Sequence, residues 1–127
     1  MSQQGDKGRV LIVEDSPVIA VDAEQRLQGD GWFVVGPAYD MDQAMDLAKR
    51  EQIDAAVLDL NIRGEKSFAV MQVLHERNIP FLVTSGYADW SMPQEWRDRP
   101  RLQKPYDVGA LIGAVCAISG KDQPSTS

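Results

Sequence analysis

The chain has 127 residues, 43% of them hydrophobic and 25% charged, with a net charge of −6 at pH 7. That length suits one domain with a real core, and the acidic balance argues against non-specific binding to nucleic acid or anionic membranes. A single cysteine, Cys116, excludes a disulfide framework, no apolar run is long enough to span a membrane, and polar Met1 to Gly8 is not a signal peptide.

The expectation is a cytoplasmic protein without nucleic-acid or membrane partners, monomeric or weakly dimeric. Residues 1–8 read as a polar lead. Arg9 to Val13 is a short β-branched run, a first buried strand that ends in Glu14 and Asp15. Ser16-Pro17 then supplies an N-cap and a proline at the first helical position. Ile19, Ala23 and Leu27 form the core-facing stripe of that helix, and Gly29-Asp30-Gly31 stops it.

Trp32 to Val35 is the second strand, closed by Gly36-Pro37. Asp40 or Asp42 caps a second helix whose apolar face is Met41, Ala44, Met45 and Ala48. Ala55 to Leu58 is an apolar run that delivers one acid, Asp59, to its carboxyl end, as a buried parallel strand would. After a loop with Gly64, a third helix starts near Ser67 and faces the core with Val70, Val73 and Leu74.

Phe81 to Thr84 is the fourth strand. A short or irregular fourth helix is expected from Ala88, broken by Pro93. Arg101 to Gln103 is the fifth strand, ending at Lys104-Pro105. A last helix from near Asp107 shows Leu111, Ile112, Val115 and Ile118, and Gly120 ends it. Residues 9–119 make one domain, residues 120–127 a disordered tail, and no separate output domain is expected.

This alternation predicts an α/β fold, flavodoxin-like (βα)5, with a five-stranded parallel sheet in the order 2-1-3-4-5 and helices on both faces. In such sheets ligands bind beyond the carboxyl ends of the strands. The polar residues there are Glu14, Asp15, Asp59, Thr84 and Lys104. At an effective dielectric near 20, two carboxylates about 4 Å apart repel by about 4 kcal/mol, which a bound cation relieves. An all-oxygen set, with the Asn61 carbonyl as a further ligand, suits Mg2+. Asp59 then reads as a phosphoryl acceptor that forms an acyl phosphate, with Lys104 and the Thr84 hydroxyl contacting phosphoryl oxygens. Ser85 competes for the hydroxyl role, but period-2 alternation favours Thr84. The donor is another molecule, because the only histidine, His75, falls in the third helix.

Val10-Leu11-Ile12-Val13-Glu14-Asp15, Val57-Leu58-Asp59, Thr84 and Lys104-Pro105 resemble the signature of the response-regulator receiver domain of two-component signalling. The resemblance implies Mg2+-dependent phosphoryl transfer from a sensor histidine kinase to Asp59, self-catalysed dephosphorylation, and output by protein–protein contact or phosphorelay. Receivers carry an aromatic switch residue three positions before the lysine, where this chain has Arg101. The stretch Pro80 to Tyr87 is similar to the atypical FATGY subgroup, which implies a kinase of the HWE/HisKA2 type. Ser85, Tyr87 and Arg101 are therefore candidate switch residues. A phosphorylation-independent pseudo-receiver adaptor is the alternative, and its mark would be a missing acid or lysine. No nucleotide-binding loop, nucleophile elbow or hydrolase triad is present. Trp90 and Trp96 are candidates for a partner surface, while Trp32 and Cys116 read as packing residues.

Overall fold

A computed structural model describes residues 7–86 and 93–120. Five parallel strands form the sheet: β1 (Gly8–Val13), β2 (Trp32–Ala38), β3 (Ala55–Asp59), β6 (Phe81–Ser85) and β7 (Arg101–Gln103). Between β3 and β6 a two-residue pair, β4 (Asn61–Ile62) and β5 (Glu65–Lys66), makes a small antiparallel hairpin. The sheet order is β2-β1-β3-β6-β7, the predicted 2-1-3-4-5 once the hairpin is set aside. Among the described residues the α-helices are α1 (Pro17–Gly29), α2 (Met41–Arg50), α3 (Phe68–Glu76) and α4 (Val108–Ser119).

Period-2 alternation sorts the strand residues onto two faces. Leu11, Val13, Ala56, Leu58 and Val83 pack under α2 and α3. Val10, Ile12, Ala55, Val57 and Leu82 pack under α1 and α4, with Leu27, Leu111 and Val115. No helix among the described residues is long and apolar enough to cross a membrane.

Several local expectations shift. The buried stripe of α1 is Ala20, Ala23 and Leu27, and Ile19 is only half-buried. Ser16 occupies the N-cap without a side-chain bond. Instead its N–H donates to Glu14 at 3.0 Å. Asp40, not Asp42, caps α2, accepting from the Gln43 N–H at 2.8 Å. On α3 the buried residues are Val70, Met71 and Leu74.

β2 does not stop at Gly36-Pro37 but runs on to Ala38. Gly36 makes this possible. Its φ is +92°, and a Cβ there would lie 2.8 Å from the Ala38 nitrogen. The register with β1 slips at this point, and the Ala38 carbonyl accepts from the Glu14 N–H at 3.0 Å. Glu14 is thereby fixed at the end of the sheet.

The described part of the stretch before β7 holds one 3-10 turn, Gln94–Trp96, which Pro93 precedes; the helix expected from Ala88 falls on residues outside those described. Ala88, Tyr87 and Trp90 lie outside the described residues. Trp96 is no surface residue. It is 3% exposed, edge-on to Phe81 with ring centroids 5.8 Å apart. Trp32 and Cys116 are fully buried, as packing residues should be.

Candidate functional site

The carboxyl ends of β1, β3, β6 and β7 bring the predicted polar residues into one place. Asp59 is the last residue of β3 and is 7% exposed. It continues the Val57 side of the strand, so its side chain leaves the α1/α4 face just where the apolar core ends. Thr84 is its register partner on β6 and is also buried. The Leu60 N–H donates to the Thr84 carbonyl at 2.8 Å, which locks the two strand ends together.

Lys104 reaches back over this edge. Its N–H donates to the Ser85 carbonyl at 2.7 Å, holding the start of the β7–α4 loop against β6. Its Nζ donates to Asp59 Oδ2 at 2.8 Å and lies 2.5 Å from Glu14 Oε1. Glu14, Asp15 and Asp59 each offer a carboxylate oxygen within 4.8 Å of the others. Asp15 is half-buried, and its Oδ2 accepts from the Arg63 N–H at 2.8 Å. The Asn61 N–H approaches Asp59 Oδ1 at 3.3 Å.

The electrostatics follow from this geometry. Burial pushes the Glu14 carboxyl above its ordinary 4.5, and the Lys104 contact only partly offsets that. For Lys104 burial works the other way, yet the hydrogen bonds to Asp59 and Glu14 outweigh it and raise the ammonium above 10.5. Burial, then the negative charge of Glu14, also raises the Tyr106 hydroxyl beside the site.

Ser85 and Arg101 lie apart from this cluster. Ser85 is fully buried, and alternation turns it to the face opposite Thr84. Arg101 is exposed on β7 and pairs with Val83, whereas Thr84 pairs with Leu102. Tyr87 lies outside the described residues. His75 sits in the last turn of α3, beside Pro80 at the start of β6, at the far end of the sheet from Asp59.

Two supporting residues carry no functional signal in the sequence. Ser67 is fully buried, and its Oγ donates to the Asp59 carbonyl at 2.6 Å. By sequence alone it reads as a helix start, and it does hold the N-cap position of α3, yet its side chain makes no cap bond. Arg63 has φ +51°, a left-handed conformation that costs a non-glycine residue roughly 1–2 kcal/mol. Only the Gly64 that follows it hinted at a tight turn.

The fold is a doubly wound α/β sheet, and the acidic cluster and Lys104 lie over its carboxyl edge, where sheets of this class bind their ligands. Residues 10–115 match the response regulator receiver domain, and the chain belongs to that family. It is similar to SdrG from Sphingomonas melonis Fr1, whose solution structure has 39% sequence identity and a TM-score of 0.77. That likeness covers 93% of this chain and 98% of the other. A second structure, of SdrG in a BeF3-activated conformation, is 38% identical with a TM-score of 0.73, covering 87% of this chain and 95% of that one.

The transcriptional regulatory protein PdtaR of Mycobacterium tuberculosis is 29% identical over 111 residues, 84% of this chain. The chain spans about half of that relative's length, 54%. Sporulation initiation phosphotransferase F of Bacillus subtilis is 27% identical over 113 residues, covering 84% of this chain and 90% of the relative.

Proposed function

We propose that this receiver accepts a phosphoryl group on Asp59 from a phosphohistidine of a sensor histidine kinase, with Mg2+ as the cation. The observation that carries the reading is Lys104 Nζ, 2.8 Å from Asp59 Oδ2, at the rim of three converging carboxylates. In the transfer, the free electron pair of an Asp59 oxygen attacks phosphorus in line. The P–N bond to the donor imidazole breaks, and its electron pair leaves with the nitrogen.

Lys104 stays protonated and exchanges its contact with Asp59 for one with a phosphoryl oxygen. Thr84, in register with Asp59, offers a hydroxyl on the same side. The donor set fits a hard cation: carboxylates of Glu14, Asp15 and Asp59, joined by the Asn61 carbonyl, supply oxygen only. Mg2+ bound there supplies charge neutralisation for the acids and the transferred group.

The donor histidine has to approach along the border of the site. The first turns of α1 and the loop after Lys104 form that border, and Val18 there is 80% exposed beside Pro105 and Tyr106. This supports a protein partner on that side. The likeness of Pro80 to Tyr87 to the FATGY subgroup supports a kinase of the HWE/HisKA2 type. Output then passes through protein–protein contact or phosphorelay.

Incubation with Mg2+ and a small phosphoryl donor, read by intact mass, should add one phosphoryl group, and the adduct should vanish in Asp59→Ala. An adduct that survives in that variant refutes the assignment. Absence of any adduct, with a small donor and again with a cognate kinase, refutes it too. One observation favours a second reading, the phosphorylation-independent adaptor: Arg101 stands where receivers carry the switch aromatic. On that reading, partner affinity would not change when BeF3 occupies the site.

A further inference from the structure

We propose that the cavity between the end of α3 and the approach to β7 is a carboxylate-binding pocket, with the Arg99 guanidinium as its anion clamp. The cavity has a volume of about 270 Å3 and is lined by His75, Asn78, Ile79, Pro80 and Arg99. It lies at the amino end of the sheet, where β6 starts at Phe81, whereas Asp59 ends β3 on the opposite side. An occupant there leaves Asp59 and Lys104 uncovered.

Arg99 is fixed in place before any ligand arrives. Its main-chain N–H donates to the Trp96 carbonyl at 3.1 Å. Its guanidinium carbon lies 4.4 Å from the Phe81 ring centroid and 5.7 Å from that of Trp96, so the cation is stacked on aromatic rings. Its Nη2 lies 3.0 Å from His75 Nδ1. A guanidinium only donates, so His75 accepts there and carries its proton on Nε2. Among the described residues no carboxylate pairs with Arg99, whereas Arg9, Arg26 and Arg50 each have an acid partner. In a chain of net charge −6, a half-buried guanidinium left without an acid offers its remaining N–H groups to an outside anion.

The rest of the lining selects the ligand. Asn78 has φ +60°, in the left-handed region where asparagine is enriched. Its N–H and that of Ile79 turn back to the His75 and Leu74 carbonyls at 3.0 and 2.9 Å. This turn ends α3 and brings Ile79 and Pro80 into the wall as apolar surface, and no acidic residue lines the cavity. A planar guanidinium fork matches a carboxylate with two parallel hydrogen bonds, and the apolar wall suits methylene groups behind it. Inorganic phosphate has no stem to cover that wall. The ligand class is therefore a carboxylate on a short aliphatic chain, carried by an acidic side chain of a protein partner or by a small free dicarboxylate.

The test titrates two probes into the full chain at constant ionic strength and follows them by NMR. One probe is glutarate, and the other is a short alanine peptide with one central glutamate, blocked at both ends. Saturable shifts should centre on the Arg99 side-chain N–H and the Ile79 amide and leave the Lys104 amide in place. Arg99→Gln should weaken binding by about tenfold or more, and Arg99→Lys by about threefold, because lysine keeps the charge and loses the fork. Binding of either probe supports the proposal, and the tighter one names the source: the peptide a protein partner, glutarate a small dicarboxylate. No saturable shift with either probe would overturn it, as would shifts centred on Lys104, undiminished binding by folded Arg99→Gln, or equally tight binding of inorganic phosphate. If Arg99→Gln does not fold, the position of the shifts and the phosphate comparison in the unsubstituted protein decide.

Discussion

Replacing Lys104 with alanine tests the electrostatic account of the site directly. At an effective dielectric near 20, Lys104 gains about 7 kcal/mol from Glu14 at 2.5 Å and about 6 kcal/mol from Asp59 at 2.8 Å. The three carboxylates, with oxygens within 4.8 Å of one another, repel by at least about 3.5 kcal/mol per pair, about 10 kcal/mol in all. These gross terms nearly cancel, so the lysine neutralises a site that would otherwise oppose folding.

Its removal leaves the repulsion in place. Protonation and solvent entry then relax most of it. The net loss should be about 3 kcal/mol, the low end for breaking a buried ion pair, because the site borders water. Urea unfolding should show a midpoint lower by roughly 2 M, for a slope of about 1.5 kcal/mol per M. Added Mg2+ should narrow the gap, since a cation that binds only the folded state stabilises it by mass action.

pH supplies a second readout. The folded pKa of Glu14 is raised above 4.5, so the native state holds that proton more tightly than the unfolded chain. Its contribution therefore favours folding at low pH and is lost as pH rises from 4.5 through the folded value. Without Lys104 the carboxyl rises further, and the loss should extend to higher pH. Lys104 itself, raised above 10.5, contributes stability below 10.5 that disappears as pH climbs through its folded value. An Lys104→Ala variant with unchanged urea midpoint, unchanged pH dependence and no response to Mg2+ would refute this reasoning.

The same arithmetic gives Asp59→Ala a different outcome. It deletes about 6 kcal/mol of attraction and about 7 kcal/mol of repulsion, so stability by urea unfolding should change by less than about 1 kcal/mol, while phosphoryl labelling is lost. Ser67→Ala strands the close Oγ contact to the Asp59 carbonyl and should cost about 1–3 kcal/mol in chemical unfolding. Trp96→Ala empties a buried site under β6 and should cost about 3–5 kcal/mol, measured as a lower thermal midpoint. Asp40→Ala removes the cap bond to Gln43 and should cost about 1 kcal/mol by the same measurement.

Much of the fold was legible in the chain because its signals are local. The apolar run before Asp59 and the periodic faces of the helices each declare themselves within ten residues. Where local composition misleads, a distant contact intervenes. Gly36-Pro37 has the composition of a strand stop, but the positive φ of Gly36 lets β2 continue and hand the Ala38 carbonyl to Glu14. Trp96 sits in a polar, proline-flanked stretch that reads as surface. Its burial depends on Phe81 and His75, which are 15 and 21 residues away.

The sequence by itself determined the chemical inventory: two acids after one strand, one acid after another, a threonine and a lysine at the ends of two more. It did so because strand periodicity and the end of an apolar run mark where a polar side chain must emerge. Tertiary structure alone decided which oxygen of each acid meets which donor. Lys104 bridges Glu14 and Asp59 because β6 and β7 bring its loop over them, and the Arg63 N–H meets Asp15 across 48 positions of chain. Hydrogen bonds of that kind follow from angles and distances set by packing, and no local pattern of residue types encodes them.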